Sequence, residues 1–199
     1  VPMLWSAGFY LAFVWMAIYM QDLIKPDPVP NALAVNSTAL LLSVCLFFPV
    51  AGALSVRFGR RCIMTFGGVG VGVLSPLLIM LIGLGHPLLA FVSQSTIGIG
   101  VSFWGAPMCA WLVESFDPAS RLTSVAIGYN LAQASVGGIT PALATYMVDA
   151  AGPNSPGWIL TFLALISLSG LWFVAPPPPP SFHDGLDSTQ RKRAFVAVS

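Results

Sequence analysis

Six long apolar stretches divide this 199-residue chain, at about 1–20, 31–55, 62–85, 87–113, 122–148 and 157–175. None of them contains Asp, Glu, Lys or Arg. Each is near or above the roughly 20 residues that a helix needs to cross a bilayer. The apolar residues run continuously rather than in alternation, which is the pattern of helices and not of barrel strands. Backbone groups in hydrocarbon have no water to pair with, so each stretch must satisfy its own, as a helix does. The predicted fold class is therefore an all-α membrane protein with six transmembrane helices.

The polar connections fix the topology. Residues 21–30 (QDLIKPDPVP) form a proline-rich loop, 57–61 a short basic loop, and 85–87 a tight turn. Residues 114–121 (ESFDPASR) read as a charged loop with an Asp-Pro turn signal, and 149–156 as a polar turn. Five prolines at 176–180 cannot continue a helix. They open a second segment, 176–199, read as a proline-rich stop and spacer followed by a basic tail.

With the first stretch entering from the inside, Arg57, Arg60, Arg61, Arg121, Arg191, Lys192 and Arg193 face the cytoplasm, against Lys25 alone on the other side. Seven against one is a positive-inside bias. It puts both ends in the cytoplasm, the C-terminus included, which requires an even number of spans. The expected residence is the plasma membrane. The chain opens at Val1 inside an apolar run, without the pattern of a signal peptide. It reads as a piece whose start is missing.

Composition narrows the class further. The chain is 56% hydrophobic and 8% charged, where soluble domains carry about 25% charged residues. Lipid is the expected surrounding, and a net charge of +1 argues against nucleic acid as a partner. Cys45, Cys62 and Cys109 lie in or beside apolar runs without metal-ligand spacing and read as small apolar fillers. GxSxG, HExxH and CxxC motifs are absent, and the two histidines, His86 and His183, fall in a turn and in the tail. Neither an enzyme, a cofactor nor a metal is implied.

The run GGVGVG at 67–72 lacks the third glycine of a dinucleotide loop. Gly68 and Gly72 instead have the spacing for close approach of two helices. Pro49, Pro76, Pro107 and Pro141 lie inside the stretches, where each removes a backbone hydrogen bond and bends its helix.

Candidate chemistry rests on uncharged polar residues within the stretches: Tyr10, Asn36, Ser37, Gln94, Trp104, Tyr129, Asn130 and Gln133. A polar side chain in hydrocarbon needs a partner or a wet cavity. Two readings stay open: glue between helices, worth about 0.6 kcal/mol each, or the lining of a substrate cavity. Asn130 and Gln133, three apart, share a helix face.

Two motifs carry a resemblance. GALSVRFGRR at 52–61 resembles the G-x-L-x-D-R-x-G-R-R loop of the major facilitator superfamily. ESFDPASR…GYNLAQASVGGITP at 114–141 resembles the E-x-F-P-x-x-x-R loop and following helix of its metabolite:proton symporters, a group with proline/betaine and dicarboxylate carriers. The resemblance covers nearly all of residues 1–175 and leaves out the tail.

It implies the C-terminal half of a twelve-helix secondary transporter that works by alternating access, with a small organic solute and protons as partners. The missing N-terminal six-helix half is a further implied partner. It implies substrate-binding roles for Tyr10, Gln94 and Trp104, with Asn130 and Gln133 supporting the cavity or the interface. It implies a conformational loop built on Gly52, Arg57, Gly59, Arg60, Arg61, Glu114 and Arg121.

Two positions depart from the pattern: Val56 replaces the acidic residue of the first loop, and Asp117–Pro118 shifts the proline of the second by one place. The spans hold no carboxylate, so proton coupling is expected to depend on the other half. The lack of Arg or Lys there leans toward a zwitterion, or leaves anion recognition to the other half. The rival expectation is a non-transporting six-helix membrane fragment or assembly partner.

Overall fold

The computed structural model describes residues 1–25, 28–116 and 119–173. The Asp117–Pro118 turn, the proline run and the tail lie outside the described residues. Every regular element among the described residues is helical. Four helices are long and apolar enough to cross a membrane: α1 (Pro2–Leu23), α2 (Ala32–Phe58), α3 (Arg60–Ile82) and α4 (Pro87–Glu114). The fifth apolar stretch is divided. Helix α5 (Arg121–Ala132) runs into a π-helical segment (Gln133–Gly137), and after Gly138 and Ile139 the chain restarts as α6 (Thr140–Ala151). The sixth is α7 (Gly157–Phe173), 17 residues long.

The basic loop is shorter than its polarity predicts. α2 continues through Arg57 to Phe58 and α3 begins at Arg60, so the connection is Gly59 alone. Gly59 adopts φ 90°, which lets the chain reverse within one residue. Charged residues mark where helices leave hydrocarbon, not where they stop being helical. This is why residues 57–61 look like a loop in the sequence. At the far end of α3, Gly85 (φ 74°) and Pro87 at the start of α4 make the second tight reversal.

α1 is the centre of the bundle, 61% buried over its apolar window, whereas α2 is 22% buried and peripheral. α1 packs on α4, α7, α5 and the π segment Gln133–Gly137. α3 lies between α4 and α7. Leu4, Leu11, Trp15, Met16 and Tyr19 of α1 meet Ile79 and Ile82 of α3 and Ile97, Trp104 and Met108 of α4 in one core.

Lipid tails are as apolar as leucine, so association here depends on close packing and hydrogen bonds. The glycine seam provides the packing. A Cβ at Gly67 would lie 2.7 Å from the Gly100 carbonyl oxygen, and one at Gly72 would lie 2.8 Å from Ala164 Cβ. α3 thus approaches α4 at one glycine and α7 at another. Long-range polar ties supply the rest: Trp15 Nε1 donates to Thr145 Oγ1 at 2.9 Å, and the Tyr19 hydroxyl donates to the Pro153 carbonyl at 3.0 Å.

Candidate substrate site in the bundle

The polar residues of the spans separate into two groups. The first is closed inside the bundle. α1 contains a π-helical segment at Tyr10–Trp15. A π turn spaces its backbone bonds by five residues rather than four, which leaves carbonyls available for other donors. Gln94 Nε2 of α4 donates to the Ala12 carbonyl at 2.7 Å and to Asn36 Oδ1 of α2. Asn36 Nδ2 donates to the Phe13 carbonyl at 3.0 Å. Two backbone acceptors thereby fix the orientation of both amides and tie α1, α2 and α4 together.

Gln94 is fully buried, and its Oε1 has no partner among the described residues. Below it, Ser43 Oγ lies 2.6 Å from the Ala39 carbonyl of its own helix and 3.2 Å from the Ser95 carbonyl of α4, and Ser102 Oγ donates to the Ser43 carbonyl. Gly98 leaves the room for this contact, since its Cβ would fall 2.5 Å from Ser43 Oγ.

The second group is half-buried and lies between α1 and α5. Tyr129 and Gln133 are four apart, on one helix face. Gln133 Nε2 donates to the Tyr129 hydroxyl at 3.0 Å, and Trp5 Nε1 of α1 donates to the same oxygen at 3.2 Å. The Tyr10 ring packs on Gly137, where an added Cβ would meet it at 3.0 Å and Gln133 Oε1 at 3.2 Å. An aromatic row continues from here, with Trp5 against Phe9 and Phe48, and Phe9 against Tyr10 and Phe13, at centroid distances of 5.5–6.3 Å.

Of the five expected substrate residues, Tyr10 and Gln133 stand together in this second group. Gln94 belongs to the closed group. Trp104 is fully buried, donates to the Val1 carbonyl at 3.2 Å and packs on Gly68. Asn130 is exposed and donates back to the Ala126 carbonyl of its own helix at 2.8 Å. Ser37 is also exposed. Trp5 is not among the sequence candidates, although it lies on the same first stretch as Tyr10. Its signal is the hydrogen bond to Tyr129, which needs the tertiary structure to be visible.

At the ends of α3 and α4, Glu114 pairs with Arg60 and not with Arg121. Arg121 Nε donates to the Phe116 carbonyl at 3.3 Å instead. The pair is largely exposed, so it contributes about 0.2–1 kcal/mol. Val56 is 80% exposed on the last turn of α2, and the Arg57 guanidinium lies over the Phe58 ring at 5.6 Å. A recess of about 620 Å³ at this end is lined by Gly59, Arg60, Arg61, Trp111, Glu114 and Trp172. A second, apolar groove of about 390 Å³ lies between α6 and α7, lined by Leu143, Met147, Trp158 and Phe162 among others. Neither cavity borders the two polar groups.

Among the described residues no cluster of His, Cys, Asp or Glu has the arrangement of a metal site. The three cysteines are free.

Residues 2–197 match the Major Facilitator Superfamily. The chain is 28% identical over 171 residues to the citrate-proton symporter of Klebsiella pneumoniae, covering 82% of this chain and 37% of the relative. It is 25% identical over 164 residues to the proline/betaine transporter of Escherichia coli K12, covering 82% and 32%. It is 23% identical over 167 residues to a putative proline/betaine transporter of Staphylococcus aureus strain COL, covering 83% and 35%. The chain thus spans about a third of the length of these curated relatives. No solved structure matches it.

Proposed function

The chain belongs to the Major Facilitator Superfamily, and we propose that it forms one six-helix half of a twelve-helix carrier for proton-coupled symport of a small organic solute, a zwitterion or a carboxylate. It is a multi-pass membrane transport protein rather than an enzyme, on the strength of that family match. The observation that carries the finer reading is the pair of similarities to a citrate-proton symporter and to proline/betaine transporters.

In this reading residues 1–175 are the six-span unit, with the divided stretch Arg121–Ala151 as the fifth span. Residues 176–199 are a cytoplasmic linker and tail in the plasma membrane protein. The other half of the carrier completes the cavity. It also supplies the titratable group, since the six apolar stretches hold no carboxylate and proton coupling needs one in the membrane. Gly52, Arg57, Gly59, Arg60, Arg61, Glu114 and Arg121 form the loop system that couples the cytoplasmic helix ends. Its Arg60–Glu114 pair joins α3 to α4.

Uptake into proteoliposomes under an inward proton gradient tests the reading, with labelled L-proline, glycine betaine and citrate as probes. The complete carrier is expected to accumulate at least one of them, and a protonophore to abolish the accumulation. This 199-residue chain alone is expected to accumulate none. Gradient-driven uptake by the chain alone, running as a monomer on size-exclusion, would show that it is not half of a carrier. A complete carrier inert to all three probes would favour a non-transporting membrane protein.

A further inference from the structure

The Tyr129 hydroxyl occupies an unusual position among the polar groups of the spans. Its oxygen accepts from Trp5 Nε1 and from Gln133 Nε2. A phenol oxygen accepts hydrogen bonds and carries one proton. Two N–H donors already stand on this oxygen, so its proton remains to be donated. Among the described residues no hydrogen bond from the Tyr129 O–H is formed, while Gln133 Oε1 beside it is buried without a partner. Hydrogen bonds polarise one another in series, so two N–H donors on the oxygen strengthen the O–H as a donor.

We propose that Tyr129 is a substrate-recognition residue whose O–H donates to a carboxylate oxygen of the transported solute, with Trp5 and Gln133 as positioning residues. The proposal rests on the symporter reading above. Three features support it. Tyr129, Trp5 and Gln133 are all half-buried, unlike the fully closed Gln94. The six apolar stretches hold no Arg or Lys, so a carboxylate meeting this face has neutral donors to bind. The donor assembly joins α1 to α5: Trp5 and Tyr129 stand on regular helix, and Gln133 opens the π-helical segment on which Pro2–Phe9 packs. Gly137, free of a Cβ, admits the Tyr10 ring beside Gln133 and so holds the amide from the other side.

Transport kinetics of the complete carrier test this, with L-proline as substrate and L-prolinamide, which lacks the carboxylate, as matched competitor. Tyr129→Phe is expected to raise the KM for L-proline about tenfold, the lower end of the range for a hydrogen bond to a charged group. Vmax should stay within a factor of about two, and the preference for L-proline over L-prolinamide should fall by a similar tenfold. Gln133→Leu, which keeps the hydroxyl but removes one of its donors, should raise KM in the same direction. Both variants would be checked by size-exclusion in detergent.

Several results would overturn the proposal. One is an unchanged KM and preference in Tyr129→Phe. Another is a fall in Vmax alone, the signature of a merely structural contact. A Gln133→Leu variant with unchanged or lowered KM would mean that the phenol proton is already donated to Gln133, and would also overturn it. In each case the wild-type carrier still transports, so the symporter reading stands. A wild-type carrier that accumulates no L-proline would overturn the proposal, and one that accumulates none of the three probes would remove the symporter reading as well.

Discussion

A methyl group added at Gly67 would sit 2.7 Å from the Gly100 carbonyl oxygen and 2.7 Å from the Trp104 amide nitrogen. Both are backbone atoms inside helices, so neither can move aside as a flexible side chain would. Gly70, three residues on, has nothing within 4 Å of the same position. Gly67→Ala is therefore expected to destabilise the bundle by about 1–3 kcal/mol, as overpacking does. Gly70→Ala should be neutral or slightly stabilising, because alanine is the better helix former. Thermal unfolding of the two purified variants in detergent checks this, and equal midpoints would refute the close approach. The sequence singled out Gly68 and Gly72 by spacing, and Gly72 does meet α7. It did not separate Gly67 from Gly70, because which glycine meets a backbone depends on the rotation of α3 against its neighbours. The same limit applied to the polar residues. Gln94 and Asn36 were visible as costly groups in hydrocarbon, but their pairing through the Ala12 and Phe13 carbonyls was not.

Among the described residues four π-helical segments interrupt the helices, at Tyr10–Trp15, Tyr19–Leu23, Leu41–Leu46 and Gln133–Gly137. Hydrophobic runs cannot reveal them, since a π turn keeps the same composition. Proline position reveals two. A proline ring clashes with the carbonyl four residues earlier in a regular helix. Four before Pro49 is Cys45, and four before Pro141 is Gly137, each within a π segment. The wider turn relieves the clash. Pro76 and Pro107 sit in helices without such a segment, so proline is not a sufficient cause. The first π segment of α1 contains no proline, and there the side-chain donors Gln94 and Asn36 take up the carbonyls. Pro141→Ala restores an N–H that can pair with Gly137 and removes the ring clash. Amide hydrogen exchange over residues 137–145 is then expected to slow as α5 and α6 join into one helix. Unchanged exchange there would mean that packing against Tyr10, not Pro141, holds the break.

At the scale of the whole molecule, the charges decide which way the bundle sits. α2, α3, α4 and α7 bring Arg57, Arg60, Arg61, Glu114 and Trp172 to one end. The turn between α6 and α7, with Gly152 at φ 93° and the Tyr19–Pro153 bond, closes the other. Cationic residues are retained on the cytoplasmic side during insertion, and the arginines at the first end outnumber Lys25 at the second. The all-α class was legible in the sequence because continuous apolar runs admit few other structures, but the break of the fifth stretch into α5 and α6 was not, since its apolar composition runs on across it. Orientation is a separate claim, and Cys62 offers a native reporter of it. Its side chain is exposed beside Arg61, at the edge of the arginine-lined recess. In inverted membrane vesicles a membrane-impermeant maleimide is expected to label Cys62, and in right-side-out vesicles to leave it unmodified. A cysteine placed at Asn154, in a variant carrying Cys62→Ser, should show the opposite sidedness. Cys45 lies at the middle of α2, exposed on the bundle surface, where a helix of this length crosses the hydrocarbon. It should react from neither side. Labelling of Cys62 from the outer face would reverse the topology and, with it, the assignment of the Arg60–Glu114 end to the cytoplasm.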